Sequence, residues 1–559
     1  MAKILTQPED NLNSVLPEID EQAVENGEVF TRRWIVELML DLVDYQPDRD
    51  LTDLKLVEPA CGVGAFLGPI VRRLSSSLKT SGKDLTNAGS SVRAYDLVPR
   101  NVDAARNTVA KVLIEDGWPS SDAEAIAKKW IQVADYLLLP HQPHEIDIVI
   151  GNPPYIRLED IPNARSNLYR KTWPTMGGRA DIYVGFFEAG LRTLRPSGTL
   201  AFICADRWQR NQYGTRLREL VSSEFSMDLT LSAHDVDAFE EQVSAYPAIT
   251  LISNKPQGRA TVANASGEFG EAQAHRFARW FKTGRSPLSD RGLEAARLPH
   301  WFNGRDSWPA GSPERLAVLE YLNDNFQPLE DNDTGTKVGI GVATGADGIF
   351  VKPSSIDIED SRLLPLSMGR DTNSGEFVWS GHYLVNPWGP DGKLIDLNEF
   401  PKTAAYFESF AAKLTKRHIA AARPARWFAT IDRVDPSLTD KPKLLFPDMR
   451  MTSEPVLEPG GYYPHHNLYH VTSEKWDLEV LGGILLSKVA ELFIDCYAVK
   501  MRGGTLRFQS QYLRRIRVPV ISSINASDKK ALATAFRNRD TKQATEIALR
   551  LYGLKEIPS

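Results

Sequence analysis

The chain has little cysteine, no apolar run of membrane length and no excess of basic charge. Three cysteines in 559 residues, Cys61, Cys204 and Cys496, lie far apart. That usage fits a reducing compartment and excludes a disulfide framework or a cysteine-based zinc site. Met1 to Asp20 is polar and acidic, without the charged and apolar parts of a signal peptide, and no later stretch is long and apolar enough to cross a bilayer. A cytoplasmic protein with no membrane contact is therefore expected. The net charge is −6, so affinity for nucleic acid would have to come from local clusters. No metal site and no internal repeat is expected. What remains, 42% hydrophobic and 25% charged residues, is the composition of an ordinary globular protein long enough for two or three domains.

The most informative stretch is Asp147-Ile148-Val149-Ile150-Gly151-Asn152-Pro153-Pro154-Tyr155. An apolar run between an acid and a glycine reads as a buried parallel strand that ends abruptly, and two prolines then fix the backbone just beyond it. Open α/β sheets bind ligands at that edge. The turn offers an amide oxygen, a proline carbonyl and an aromatic face. Those groups can stack on a planar substrate while accepting hydrogen bonds from its exocyclic amine.

Asn152-Pro153-Pro154-Tyr155 resembles the catalytic motif of S-adenosylmethionine-dependent amino methyltransferases, and its surroundings resemble the gamma class of DNA adenine-N6 methyltransferases of the restriction-modification type. The implied fold is α/β, a Rossmann-like class I methyltransferase domain with a mixed, mostly parallel sheet, followed by a C-terminal α+β target-recognition domain. The implied cofactor is S-adenosyl-L-methionine and the implied partner double-stranded DNA, with no metal. Asn152, Pro153, Pro154 and Tyr155 would be catalytic.

Upstream, Gly27-Glu28-Val29-Phe30-Thr31 leads into a helical spacing of Trp34, Ile35, Leu38, Met39 and Leu42. Thr31 can cap that helix, and the resemblance gives it a second role beside the methionine end of the cofactor. Leu56-Val57-Glu58-Pro59-Ala60-Cys61-Gly62-Val63-Gly64 is a strand and glycine turn. Gly62 and Gly64 allow a tight turn and close approach of backbone to ligand. The Glu58-Pro59-Ala60 prefix resembles the family's cofactor motif, with Glu58 facing the cationic methionine portion. Asp96 ends a second strand and reads as a ribose ligand or as an N-cap for Pro99 to Leu113. A third strand ends at Asp135 and Tyr136, which by resemblance would meet the cofactor's adenine, although Tyr136 alone reads equally as core. Arg165 to Arg179 reads as a basic loop. Val236 to Phe239 with Ala248 to Ile252 resembles the closing hairpin. Phe239 would line the target-base pocket opposite Tyr155, or is a core residue.

The expected domains are a polar tail (1–22), the catalytic domain (23–260), a linker with some helix (261–333) and a recognition domain (334–559). Two acid-free basic stretches fall in the last. Lys416, Arg417, Arg423 and Arg426 belong to the first, and Arg502, Arg507, Arg514 and Arg515 to the second; either alone reads also as a solvated basic helix, and their place in the expected recognition domain makes both expected DNA contacts. Asn-Pro-Pro-Tyr also leaves open N4 of cytosine, an RNA base, a glutamine side chain, or a modification subunit of a larger restriction or phage-defence complex. A separate endonuclease is a further expected partner, because no nuclease-like cluster is visible.

Overall fold

A computed structural model describes residues 30–240, 247–498 and 505–558. The tail 1–22 and Gly27 to Val29 lie outside them, as does Arg502. The chain divides into two compact units, Met1–Glu314 and Arg315–Ser559.

Unit 1 opens with α1 (Arg33–Leu42), whose Ile35, Val36, Leu38, Met39, Leu40 and Leu42 are buried. Its cap is Arg32, which makes no capping bond with its side chain. Thr31 is therefore one residue too early for the capping role.

The first half then alternates strand and helix: β1 (Leu56–Glu58), α2 (Leu67–Thr80), β2 (Val92–Asp96), α3 (Pro99–Glu115), α4 (Ser120–Trp130), β3 (Ile131–Val133) and β4 (Ile146–Gly151). All four strands run parallel, β3 beside β2, β2 beside β1 and β1 beside β4. β4 is buried at every position, as expected of a parallel strand covered on both faces.

Next come α5 (Asn163–Thr172), α6 (Tyr183–Thr193) and β5 (Leu194–Ala205), parallel to β4. Of the stretch Arg165 to Arg179, expected as loop, the part up to Thr172 is thus helical. It looks like loop in sequence because its buried face is polar, with Arg165, Ser166 and Tyr169 turned inward.

After α7 (Thr215–Glu224), β6 (Ser226–Ser232) and β7 (Pro247–Ser253) form an antiparallel pair. The first arm of the expected hairpin is thus Ser226–Ser232, and Val236 to Phe239 lies after it. β7 sits between β5 and β6, antiparallel to both.

The expected linker is largely folded. β8 (Ala260–Ala265), α8 (Glu271–Thr283), β9 (Leu288–Asp290) and β10 (Leu293–Leu298) extend the sheet to ten strands in the order β3-β2-β1-β4-β5-β7-β6-β8-β10-β9. Beyond them Trp301 and Trp308 are 2% and 1% exposed, Trp308 packing edge-on to Trp208 at 5.4 Å. The Arg218 guanidinium is buried and donates to the Asp306 carbonyl (2.7 Å). Aromatic side chains that look scattered in sequence here close the core of unit 1. The sheet, parallel in its first five strands with helices between them, is a doubly wound α/β fold of the Rossmann-like kind.

Unit 2 is α+β. One antiparallel sheet orders the strands Lys337–Ile340, Leu468–Thr472, Lys443–Pro447 and Val456–Glu458; a second orders Val351–Pro353, His382–Val385, Leu363–Ser367 and Tyr463–Pro464. Helices Leu478–Leu486 and Ala526–Arg537 approach closely at Gly482, where a Cβ would stand 2.6 Å from the Phe536 ring. No helix among the described residues is long and apolar enough to cross a membrane.

Candidate active site

The C-terminal ends of β1, β2, β3 and β4 open onto one cleft, with an empty volume of about 930 Å3 including its mouth. Thr31, Glu58, Pro59, Ala60, Gly62, Asp96, Asp135, Tyr136, Asn152 and Pro154 all line it.

β1 delivers Glu58, 1% exposed. Its Oε2 is buried without a hydrogen-bond partner among the described residues. Burial first, and the nearby Asp96 second, push this carboxyl well above the usual carboxylate range. The turn that follows holds Gly62 at φ +49° and Gly64 at φ +95°. A Cβ on Gly64 would sit 3.3 Å from the Ala105 Cα, so glycine lets the turn pack directly on α3.

Asp96, at the end of β2, binds the same turn. Its Oδ2 accepts from the Gly62 amide (2.9 Å), while Oδ1 accepts from the Val98 amide (2.9 Å) and from Asn101 (3.3 Å). Val98 occupies the N-cap of α3, so Asp96 braces the glycine turn and the helix entry together. Burial raises its pKa even against these donors.

Asp135, just past β3, is 5% exposed. Its Oδ2 accepts from Arg165 (2.5 Å) and from the Tyr169 hydroxyl (2.6 Å), and its Oδ1 from the Leu137 amide (3.1 Å). Burial raises this carboxyl too, with Tyr169 and Arg165 opposing. Arg165 and Tyr169 are site residues that the sequence alone does not single out. Their spacing of four puts them on one helix face, but only a reading of 163–172 as helix exposes that signal. Tyr136 stacks on Phe186, ring centroids 5.8 Å apart at 15°.

β4 ends in the proline turn. Asn152 donates from Nδ2 to the Thr31 hydroxyl at 3.3 Å, which ties the turn to the segment preceding α1. The Tyr155 ring meets Tyr183 edge-on at 6.4 Å. Its hydroxyl is buried without a hydrogen-bond partner among the described residues, and burial holds its pKa far above the ordinary value. Phe239 pairs with Thr31 through the backbone and is buried among the core residues of unit 1. Pro153, Gly64, Tyr155 and Phe239 are not among the residues that line the cleft.

The basic residues of unit 2 divide. Lys416, Arg423 and Arg426, with Lys413, are exposed and make no ion pair among the described residues. Arg417 turns inward, donating to the carbonyls of Thr344 (3.0 Å), Trp427 (2.8 Å) and Ala429 (2.8 Å) over the Phe350 ring. It holds a turn and is not presented to a ligand. In the second stretch Arg507 is paired with Asp448 and Arg514 with Glu330, while Arg515 lies over Tyr497 at 5.4 Å. This stretch is acid-free in sequence only; its acids come from distant segments.

Residues 75–239 match the family model described as Eco57I restriction-modification methylase. The chain is 41% identical to the type II methyltransferase M.XhoI of Xanthomonas vasicola, covering 95% of this chain and 98% of that one. It is 41% identical to the type II methyltransferase M.PaeR7I of Pseudomonas aeruginosa over 94% of this chain and 92% of that protein. M.BstVI of Geobacillus stearothermophilus, another type II methyltransferase, is 36% identical over 95% and 96% of the two chains. The structure of the type IIL restriction-modification enzyme MmeI in complex with DNA shares the fold, with TM-score 0.54 and 12% identity over 94% of this chain and 74% of that one.

Proposed function

The chain belongs to the type II methyltransferases of restriction-modification systems, and on that premise we propose that it transfers a methyl group from S-adenosyl-L-methionine to N6 of an adenine in duplex DNA. The observation that carries the cofactor assignment is Glu58, a buried carboxyl at the head of the cleft with one oxygen unpaired among the described residues. A group of that kind is stabilised by a cation. S-adenosylmethionine presents a sulfonium and an amine, and it supplies an electrophilic methyl group when bound.

Every other part of the chemistry falls to the chain. Glu58 would hold the cationic end, with Thr31 beside it. Asp96 keeps acceptor capacity for ribose hydroxyls, and Asp135 for an adenine amino group, with Tyr136 forming part of that wall. At the proline turn, the Asn152 side-chain oxygen and the Pro153 carbonyl would accept from the two N–H groups of the substrate amine. Its lone pair is thereby drawn out of conjugation with the ring and aimed at the methyl group. Orientation and electrostatics suffice, with no covalent enzyme intermediate. A base inside a duplex has to be extruded to reach this turn, and stacking on Tyr155 would offset part of the unstacking cost.

Unit 2 is assigned target recognition. The support is the exposed set Lys413, Lys416, Arg423 and Arg426, without ion pairs among the described residues and suited to phosphate contacts. A separate endonuclease would act as partner in the same system.

The test is incubation with unmethylated genomic DNA and methyl-labelled S-adenosylmethionine, followed by digestion to nucleosides and mass identification. The expected product is N6-methyladenine. Label in N4-methylcytosine, or only in RNA or protein, overturns the assignment.

A further inference from the structure

Three side chains with metal-ligand atoms converge in unit 2, and none of them is used above for methyl transfer. Asp347 begins the helix Asp347–Phe350, and His465 and His466 form the bend between Tyr463–Pro464 and Leu468–Thr472. One ligand atom of each lies within 4.8 Å of the others. Neighbouring residues in an extended strand point to opposite faces. Here a turn begins at His466, and the two rings converge, centroids 4.1 Å apart.

The hydrogen bonds behind these groups fix which of their atoms face the cluster. His465 Nδ1 lies 2.9 Å from the Asn467 side-chain oxygen. That oxygen accepts, so Nδ1 donates to it and Nε2 is the ring nitrogen that faces the cluster. Nε2 faces Asp347 Oδ2 at 3.1 Å. A proton or a metal ion between these two atoms satisfies both of them. The other Asp347 oxygen accepts from the Thr344 hydroxyl. Both groups are thus oriented from behind, as metal-bound histidines and carboxylates are.

We propose that Asp347, His465 and His466 bind one divalent cation of the zinc class, with a solvent molecule completing the site. Two imidazoles and one carboxylate favour zinc over magnesium or calcium. Bonds of about 2.0–2.2 Å in tetrahedral array place donors about 3.4 Å apart, close to the 3.1 Å between His465 and Asp347. His466 is exposed and closes the remaining distance by rotation. His465 is 3% exposed and the Asp347 side chain 47%, so the site has a fixed floor and an open entry.

The ion would clip the 342–347 turn to the strand at His465, which Val342 already meets in a β-bridge. Arg417 hangs from the same turn through the Thr344 carbonyl (3.0 Å). The clip would therefore steady the base of the segment that carries Lys413, Lys416, Arg423 and Arg426.

The experiment uses the full chain, stripped with chelator and titrated with Co2+ as a visible probe, then with Zn2+. One equivalent of Co2+ should give a saturable visible spectrum that Zn2+ displaces. His466→Ala should lose it while keeping the metal-free melting temperature, because His466 is exposed. Asn467→Ala should weaken binding by about 10–100-fold. Failure to saturate, or an unchanged spectrum in His466→Ala, overturns the site. Metal binding is read without DNA or methyl transfer, so its failure leaves the proposed function untouched.

Discussion

At the scale of single residues the cleft turns on two side chains with opposite demands. Asn152→Ala is expected to lower methyl transfer by about 100-fold or more, as loss of one positioned polar group does elsewhere, with cofactor affinity within about threefold of wild type. Transfer assays and calorimetric cofactor titration check the two halves. Glu58 behaves differently, because its folded pKa lies above its unfolded one. The folded state holds that proton more tightly, so the associated stability is present below about pH 4.5 and is lost as pH rises through the folded value. Glu58→Gln should therefore melt higher than wild type without cofactor near pH 8, converge with it near pH 4, and bind cofactor at least about tenfold more weakly. The places of these two residues on the cleft were legible in sequence because each follows a short apolar run, while their proposed roles come from the family resemblance. Arg165 and Tyr169 were hidden because their partner Asp135 lies some 30 positions upstream.

Secondary-structure elements carry the next set of consequences. Lys443 and Glu458 face each other across the pair Lys443–Pro447 and Val456–Glu458, both with fully buried side chains. Desolvation drives the lysine pKa down and the glutamate up, and their pairing opposes both. Lys443→Met should cost about 3–5 kcal/mol by leaving Glu458 alone, whereas Lys443→Met with Glu458→Leu should recover most of it. Urea denaturation of the two variants checks this. On the next strand His470 is buried, with its pKa lowered to about 4, first by desolvation and then by Lys443. Its stabilising effect is complete above about pH 6.5 and is lost as pH falls towards 4, about 3 kcal/mol over the window. His470→Gln should flatten that loss in melts between about pH 7 and pH 4.5. A helix with one apolar face, such as α1, and an unbroken apolar run, such as β4, could be read directly. The short strands β8 to β10 could not, because brief segments such as Ala260–Ala265 make sense only once their neighbours are known.

At the level of the whole molecule the sum of charge misleads, since −6 overall coexists with an exposed basic segment. Replacing Lys413, Lys416, Arg423 and Arg426 together by alanine should weaken DNA binding regardless of sequence. The slope of log affinity against log salt should become shallower by about 0.9 for each phosphate that is no longer neutralised. Filter binding across a salt series reads this, and an unchanged slope would remove the segment from the interface. The two basic stretches look alike in sequence, and long-range pairing to Asp448 and Glu330 separates them. Strand order has a consequence for how the protein is made. β5 gains its outer neighbour only from β7, and β6, although translated earlier, reaches β5 only through β7. Roughly 50 residues separate the end of β5 from that of β7, so at about 5–20 residues per second the nascent chain spends several seconds with an open apolar edge. A chain interrupted before Pro247 keeps that edge for good, and truncated translation products should be the ones that chaperones collect.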